Sequence, residues 1–265
     1  MSKEVKNPPF ISVITVVFNR KDDLELTLKN ILSQNYHSFE LIVIDGGSTD
    51  GTLDVLNKYS EHISFWVSEP DKGIYNAMNK GIKASKGEWI NFMNAGDEYA
   101  SDHIFSNILT ASQDCEILVG DTCIDYGNFT RILHSGDLNN LWQGAQFIHQ
   151  SVFIKKTFQV KNLYNATNQI SADFEFFYRS FKSNARFVFI PSVVSIFRAY
   201  GISDQKRVSA VFANMKVVFN VDGFSVKVFL FYILHLVMQS STLLVKALLP
   251  QFMITKIQLL IHDNS

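Results

Sequence analysis

Two hydrophobic periods alternate along the first hundred residues. Phe10 to Phe18 (F-I-S-V-I-T-V-V-F), Phe39 to Ile44, Ile63 to Val67 and Trp89 to Met93 are short runs rich in β-branched and aromatic residues, which read as buried strands. Between them, Leu24, Leu28, Ile31 and Leu32 recur at helical spacing behind Asp22 and Asp23, acids suited to a helix's first turn. Thr49 to Tyr59 predicts a second helix, and Ile74 to Ala84, with Ala77, Met78 and Ile82 on one face, a third. This β-α-β-α-β-α-β order with short connections predicts a parallel sheet flanked by helices on both faces.

Beyond this the simple alternation breaks. Asp102 to Ser112 predicts a helix, Ile117 to Leu133 a strand pair turning at Tyr126-Gly127-Asn128, and Phe147 to Ile154 another apolar run. A helix near Asp173 to Phe181 and a strand at Arg186 to Ile190, closed by Pro191, follow. The expected organisation is an α/β domain over residues 1–204, with a nucleotide-binding half to about 101 and an acceptor half from about 102, then a helical apolar appendix over 205–265. In that tail, Phe224 to Val237 and Leu243 to Leu260 are interrupted by Lys227, His235, Gln239, Lys246 and Lys256. Such spacing suits helices lying along a surface rather than crossing a bilayer. Contact with a membrane surface and packing onto the folded body or a partner subunit both stay open.

Charge narrows the partners. The formal net charge is −1, so no global basic field draws the chain to nucleic acid. The two cysteines, Cys115 and Cys123, form no C-x-x-C pair and have no zinc-like histidine spacing, so they read as thiols in a reducing compartment. Phe10 to Phe18 is followed by Asn19 and Arg20 instead of a small-residue cleavage site, which reads as a first strand and not a signal peptide.

Chemistry concentrates where two apolar runs stop. Leu41 to Gly51 (L-I-V-I-D-G-G-S-T-D-G) and Trp89 to Glu98 (W-I-N-F-M-N-A-G-D-E) end abruptly at small and acidic residues, as expected where buried parallel strands deliver polar groups to the carboxyl edge of a sheet. There Asp45 could accept hydrogen bonds from a nucleotide's base or ribose, and Asp97 could help hold a divalent cation against a diphosphate.

Four segments in order, S-V-I-T-V-V-F-N-R, V-I-D-G-G-S-T-D-G-T, S-E-P-D-K-G-I-Y-N-A-M-N-K-G-I and G-E-W-I-N-F-M-N-A-G-D, resemble the family 2 glycosyltransferases of GT-A fold, bacterial capsule, O-antigen and exopolysaccharide enzymes in particular. The resemblance spans Ile11 to about Ser203. It implies inverting transfer of a sugar from a nucleoside diphosphate, UDP by family frequency, with Mn²⁺ or Mg²⁺. The implied acceptor is a glycan, commonly linked to polyprenyl diphosphate, at the cytoplasmic face of the inner membrane.

The resemblance also distributes roles. It points to Thr15, Val17, Asn19 and Asp45 along the nucleotide, and sets Asn94-Ala95-Gly96-Asp97 at the family's D-x-D position with Asp97 as metal ligand. Asn94 and Gly46 stand where many relatives carry aspartate. Asp173 aligns with the base that deprotonates the acceptor hydroxyl, although Ala172 replaces the usual glutamate before it. His149 and Gln150 would border the acceptor, while Arg198 and the loop to Ser203 would form a lid. Plain alternatives stand beside these: Asn19 and Asp50 as turn or cap residues, Asp173 as a helix cap, His149 as structural. A nucleotidyltransferase lacks its phosphate loop here and an oxidoreductase its G-x-G-x-x-G. The remaining alternative is a catalytically weak or inactive relative serving as a scaffold in an assembly complex.

Overall fold

A computed structural model of the chain describes residues 10–111, 114–198 and 207–248. The predicted alternation is present: β1 (Ile11–Val17), α1 (Lys21–Leu32), β2 (Phe39–Asp45), α2 (Thr52–Lys58), β3 (Phe65–Ser68), α3 (Ile74–Ala84) and β4 (Trp89–Phe92). β1 pairs in parallel with both β2 and β4, and β2 with β3. A two-residue strand, β5 (Glu98–Tyr99), and α4 (Ile104–Ala111) lead to the hairpin of β6 (Ile117–Asp125) and β7 (Thr130–Leu133). Then come β8 (Val152–Lys155), α5 (Lys156–Gln159), α6 (Ala172–Lys182), β9 (Phe187–Arg198), α7 (Arg207–Asp222) and α8 (Val226–Leu248).

The two halves share one sheet of order β3-β2-β1-β4-β8-β6-β9-β5, with β7 beside β6. The junction is the antiparallel pairing of β4 with β8. Strand pleating splits the core between two faces. Ile14, Val16, Ile42, Ile44, Ile90 and Phe92 meet α3 and α6 on one side. Ile11, Val13, Val17, Leu41, Val43 and Trp89 meet α1, α2 and α4 on the other. Each central strand is therefore apolar on both faces, which is why it reads as a continuous run.

One predicted boundary needs correction. Pro191 does not close the last strand; β9 continues through it to Arg198. Proline is tolerated because it lies where the β6–β9 register shifts, between the pairs Val119 with Phe189 and Asp121 with Val193, so no ladder bond is lost. Gly120 opposite leaves the room this irregularity needs, since a methyl group there would stand 2.3 Å from Val194 Cγ2.

The appendix is not wholly separate. Met215, Val217 and Val218 of α7 and Tyr232 of α8 are buried in the main core. The opposite side of α8 carries Val226, Leu230, Leu234 and Val237 at helical spacing, each more than half exposed. Among the described residues, no helix is long and apolar enough to cross a membrane.

Candidate active site

The carboxyl ends of β1, β2 and β4 open on one edge, where the loops leaving them are tied together. Asn19 sits in the left-handed region at φ 49°, which short polar side chains tolerate. Its N–H donates to Ser48 Oγ at 2.7 Å and its Oδ1 accepts from Thr49 N at 2.8 Å, so it links the β1 and β2 loops. Asp50 accepts from Lys21 N and from the N–H and hydroxyl of Thr52, fulfilling its turn reading.

Three residues expected along the nucleotide lie inside this edge. Thr15 is fully buried and Val17 nearly so. The pleat turns both toward the face of the sheet that α1 covers, so their side chains belong to the core. Asp45 is also fully buried at the tip of β2. It accepts from Gly47 N, from Ser48 N and hydroxyl, and from the Ser68 hydroxyl at 2.6 Å. Three of these bonds fall on Oδ2 and one on Oδ1, so the carboxylate organises the turn that follows β2. What the edge exposes is Phe18, whose accessibility of 60% leaves an aromatic ring open for stacking.

The turn after β4 is braced from below by the buried Thr27 of α1. Its hydroxyl donates to Asp97 O at 2.8 Å and accepts from Gly96 N at 2.9 Å. Ala95 N donates to Val16 O, so Ala95 and Gly96 act through backbone. The Arg20 guanidinium lies against Gly96, where a methyl group would come within 3.4 Å of it, and brings positive charge to the turn.

A second loop arrives from β8. Asn91, buried in β4, donates through Nδ2 to the carbonyls of Gln150 and Val152 at 2.9 Å and accepts from the Tyr99 hydroxyl at 2.6 Å. This clamp fixes the 3₁₀ turn at His149–Ser151. Two consecutive side chains of the turn then reach the two key acids. Gln150 Nε2 donates to Asp97 Oδ2 at 2.8 Å, and His149 Nδ1 lies 3.5 Å from Asp173 Oδ2. The other imidazole nitrogen is 3.3 Å from Asn94 Nδ2. With the proton on Nδ1, facing the carboxylate, Nε2 accepts from the amide.

Asp173 stands in the first turn of α6, and the Tyr75 hydroxyl of α3 donates to its Oδ1 at 2.7 Å. Burial alone would raise the Asp173 carboxyl, but His149 and the Tyr75 hydroxyl outweigh it and hold it below the ordinary value. The same environment pushes Tyr75 well upward, by burial first and then by the neighbouring carboxylate. At Asp97 burial wins and its carboxyl is raised, against the pull of Gln150, His149 and Arg20. A small pocket beside His149 and Asp173 is walled by Leu141, Phe147, Phe174 and Phe177.

The donor set suits a hard cation in part. Asn94 Oδ1 and Gln150 Oε1 are buried without a hydrogen-bond partner, and with Asp97 they offer the oxygen atoms that Mg²⁺ or Mn²⁺ prefers. Among the described residues no three acids, histidines or cysteines gather as a complete cage. The set therefore fits a cation that arrives with further oxygens, as a diphosphate would supply.

Arg198, expected in a lid, pairs with Glu98 at 2.7 Å at the end of β9, beside Asp97 in sequence. Ser203 lies outside the described residues. Tyr75, Asn91, Arg20 and Phe18 escaped the sequence reading. Tyr75 has a signal, its place within G-I-Y-N-A-M-N-K-G, whereas Asn91 has none beyond being the polar residue inside the run Trp89 to Met93.

Comparison with known proteins bears on the family and the fold. The profile of the family described as "Glycosyl transferase family 2" matches residues 12–183. A PGL/p-HBAD biosynthesis glycosyltransferase of Mycobacterium bovis is 30% identical over 184 residues, covering 67% of this chain and 72% of that one. The putative teichuronic acid biosynthesis glycosyltransferase TuaG of Bacillus subtilis is 33% identical over 99 residues, 36% of this chain and 39% of its own. Among solved structures, S. aureus TarS 1-349 superposes with a TM-score of 0.63 at 16% identity, over 80% of this chain and 66% of that one. The mannosyltransferase PcManGT of Pyrobaculum calidifontis, solved with GDP-Man and Mn²⁺, gives 0.63 at 19% identity, over 84% and 68%.

Proposed function

This chain belongs to glycosyltransferase family 2 and has the GT-A fold, and on that premise we propose that it transfers a sugar from a UDP-sugar to a glycan acceptor, with inversion, in the assembly of a bacterial surface polysaccharide. One observation carries the reading: His149 and Gln150, adjacent in one turn, reach Asp173 and Asp97 and so join the proposed base to the proposed metal ligand in a single site.

In this mechanism Asp173 takes the proton of an acceptor hydroxyl as that oxygen bonds to the anomeric carbon and the bond from that carbon to the phosphate oxygen breaks. Tyr75 and His149 hold the carboxylate ionised and aimed. Asp97 and Asn94 would hold Mn²⁺ or Mg²⁺, which when bound neutralises charge on the departing diphosphate. Arg20, over Gly96 and paired with Asp23 at 2.6 Å, brings a guanidinium to the same side. The apolar walls beside Asp173 keep water from competing with the acceptor hydroxyl.

UDP as carrier draws support from TarS, whose structures include complexes with UDP and UDP-GlcNAc. The glycan setting draws support from the PGL/p-HBAD and teichuronic acid relatives. A lipid-linked acceptor at the inner face of the cell membrane is consistent with the exposed apolar stripe of α8, which would rest on the lipid surface. A panel of sugar nucleotides offered to the wild-type protein with Mn²⁺ tests the reading. Metal-dependent cleavage of a UDP-sugar is expected; no binding or turnover of any sugar nucleotide would overturn it and favour the scaffold.

A further inference from the structure

Asp45 is buried among the donors of its own turn, and a second acid, from the neighbouring loop, lies beside the same strand tip. We propose that Asp71 is the nucleoside-recognition carboxylate of this enzyme, accepting a hydrogen bond from the base or ribose of the donor; this rests on the sugar-nucleotide reading above.

The geometry begins at Gly46. A methyl group on that residue would stand 2.9 Å from Asp71 Oδ2 and 3.3 Å from Phe18 Cδ2. The Asp71 carboxylate thus occupies the space that a side chain at position 46 would fill, directly after Asp45 at the tip of β2. With glycine at position 46, the negative charge at this point beside the β2 tip comes from the loop before α3. A side chain at position 46 would displace the Asp71 carboxylate from this place, and glycine leaves it there.

Asp71 is also poised for a ligand. Its Oδ1 accepts from Gly73 N at 2.8 Å, which anchors the side chain. Among the described residues no hydrogen bond is formed at Oδ2, and the residue is half-buried at the open edge. Beside it lies the exposed ring of Phe18. An aromatic face next to a fixed, acceptor-only carboxylate oxygen suits a nucleoside, whose flat base stacks while an imide N–H or a ribose hydroxyl donates.

The second anchor is Lys80, which pairs with Glu69 at 2.7 Å and ties the loop to α3. The loop is therefore held at both ends of the Asp71 segment, which lowers the ordering cost of binding.

Calorimetry with UDP and Mn²⁺ on wild type, Asp71→Asn and Gly46→Ala tests this. Asp71→Asn keeps the size and the Gly73 bond but removes the charged acceptor, and a weakening of about tenfold or more is expected. Gly46→Ala, which pushes the carboxylate aside, should weaken UDP similarly, and it carries the same prediction should Asp71→Asn fail to fold. Asp71→Ala combined with Gly46→Asp should regain part of the affinity that Asp71→Ala loses, which a merely structural role would not allow. 2′-Deoxy-UDP and N3-methyl-UDP separate ribose from base, because the analogue lacking the bonded donor becomes insensitive to Asp71→Asn. Wild-type affinity in both single variants would overturn the proposal while leaving the enzyme reading intact, whereas a wild type that binds no nucleotide would overturn both.

Discussion

The Tyr75 hydroxyl donates to Asp173 Oδ1 at 2.7 Å, joining the first turn of α3 to the first turn of α6 across 98 residues of chain. Tyr75→Phe keeps the ring, which is almost fully buried, and removes this bond together with the longer one to Ile170 O at 3.4 Å. A fall in kcat of about tenfold is expected with little change in donor KM, the size of one hydrogen bond to a charged group. Without the donor the Asp173 carboxyl rises, so the acid limb of the kcat profile, at saturating donor and metal, moves to higher pH. Steady-state kinetics across pH checks this; an unmoved limb would separate Tyr75 from the base.

Asp173→Asn should leave UDP affinity at the wild-type level and reduce transfer by about a hundredfold or more, the usual effect of losing a general base. Calorimetry and acceptor turnover measured on the same preparation distinguish this from a binding defect. Transfer at the wild-type rate would move the base elsewhere.

Asp97→Ala should abolish the Mn²⁺-dependent part of UDP binding. It strands the Gln150 amide as well, so Asp97→Asn is the milder companion, keeping the hydrogen-bonding shape while losing the charge. UDP titrations with Mn²⁺ and with EDTA are compared; equal affinity in the two for wild type would remove the cation from the proposed mechanism.

Glu25 on α1 accepts from Lys58 at 2.7 Å, pairs with Lys29 at 3.1 Å and accepts from the Tyr59 hydroxyl at 3.2 Å. These partners, Lys58 foremost, bring its carboxyl down to about 2. An unfolded glutamate titrates near 4.3, so the stabilisation is full above that pH and fades as pH falls toward 2. The Tm gap between wild type and Glu25→Gln should be constant from about pH 5 to 7 and shrink below about 4. The site faces solvent, so the gap is small and salt-sensitive. A gap independent of pH would assign the effect to packing.

If α8 rests on lipid, Leu230→Ser with Leu234→Ser should reduce sedimentation with anionic vesicles without lowering turnover of a soluble acceptor. Truncation is a poorer test, because it would also take the buried Tyr232 out of the core. Unchanged sedimentation would reject docking through this face.

Much of the molecule was legible along the chain because its signals are local. Strand runs, helical spacing and the acids at Asp45, Asp97 and Asp173 follow from short windows, and the four-motif order pointed to the family. Of the two options the tail left open, packing onto the folded body is present, since one side of α8 packs around the buried Tyr232 while its other side is exposed.

What the sequence determined by itself was therefore the order of elements and the neighbourhood of the chemistry. Only tertiary structure decided which acids are free to act. Asp45 reads as an acid at a strand tip, and only the fold shows Ser48 and Ser68 closing on it. Tyr75 has no role along the chain until α6 brings Asp173 to its hydroxyl. β5 is two residues long and exists by pairing with β9, nearly a hundred positions later. The physical reason is common to all three: periodicity is set by backbone geometry within a few residues, whereas burial and hydrogen-bond partners depend on which distant segments the packed sheet brings together.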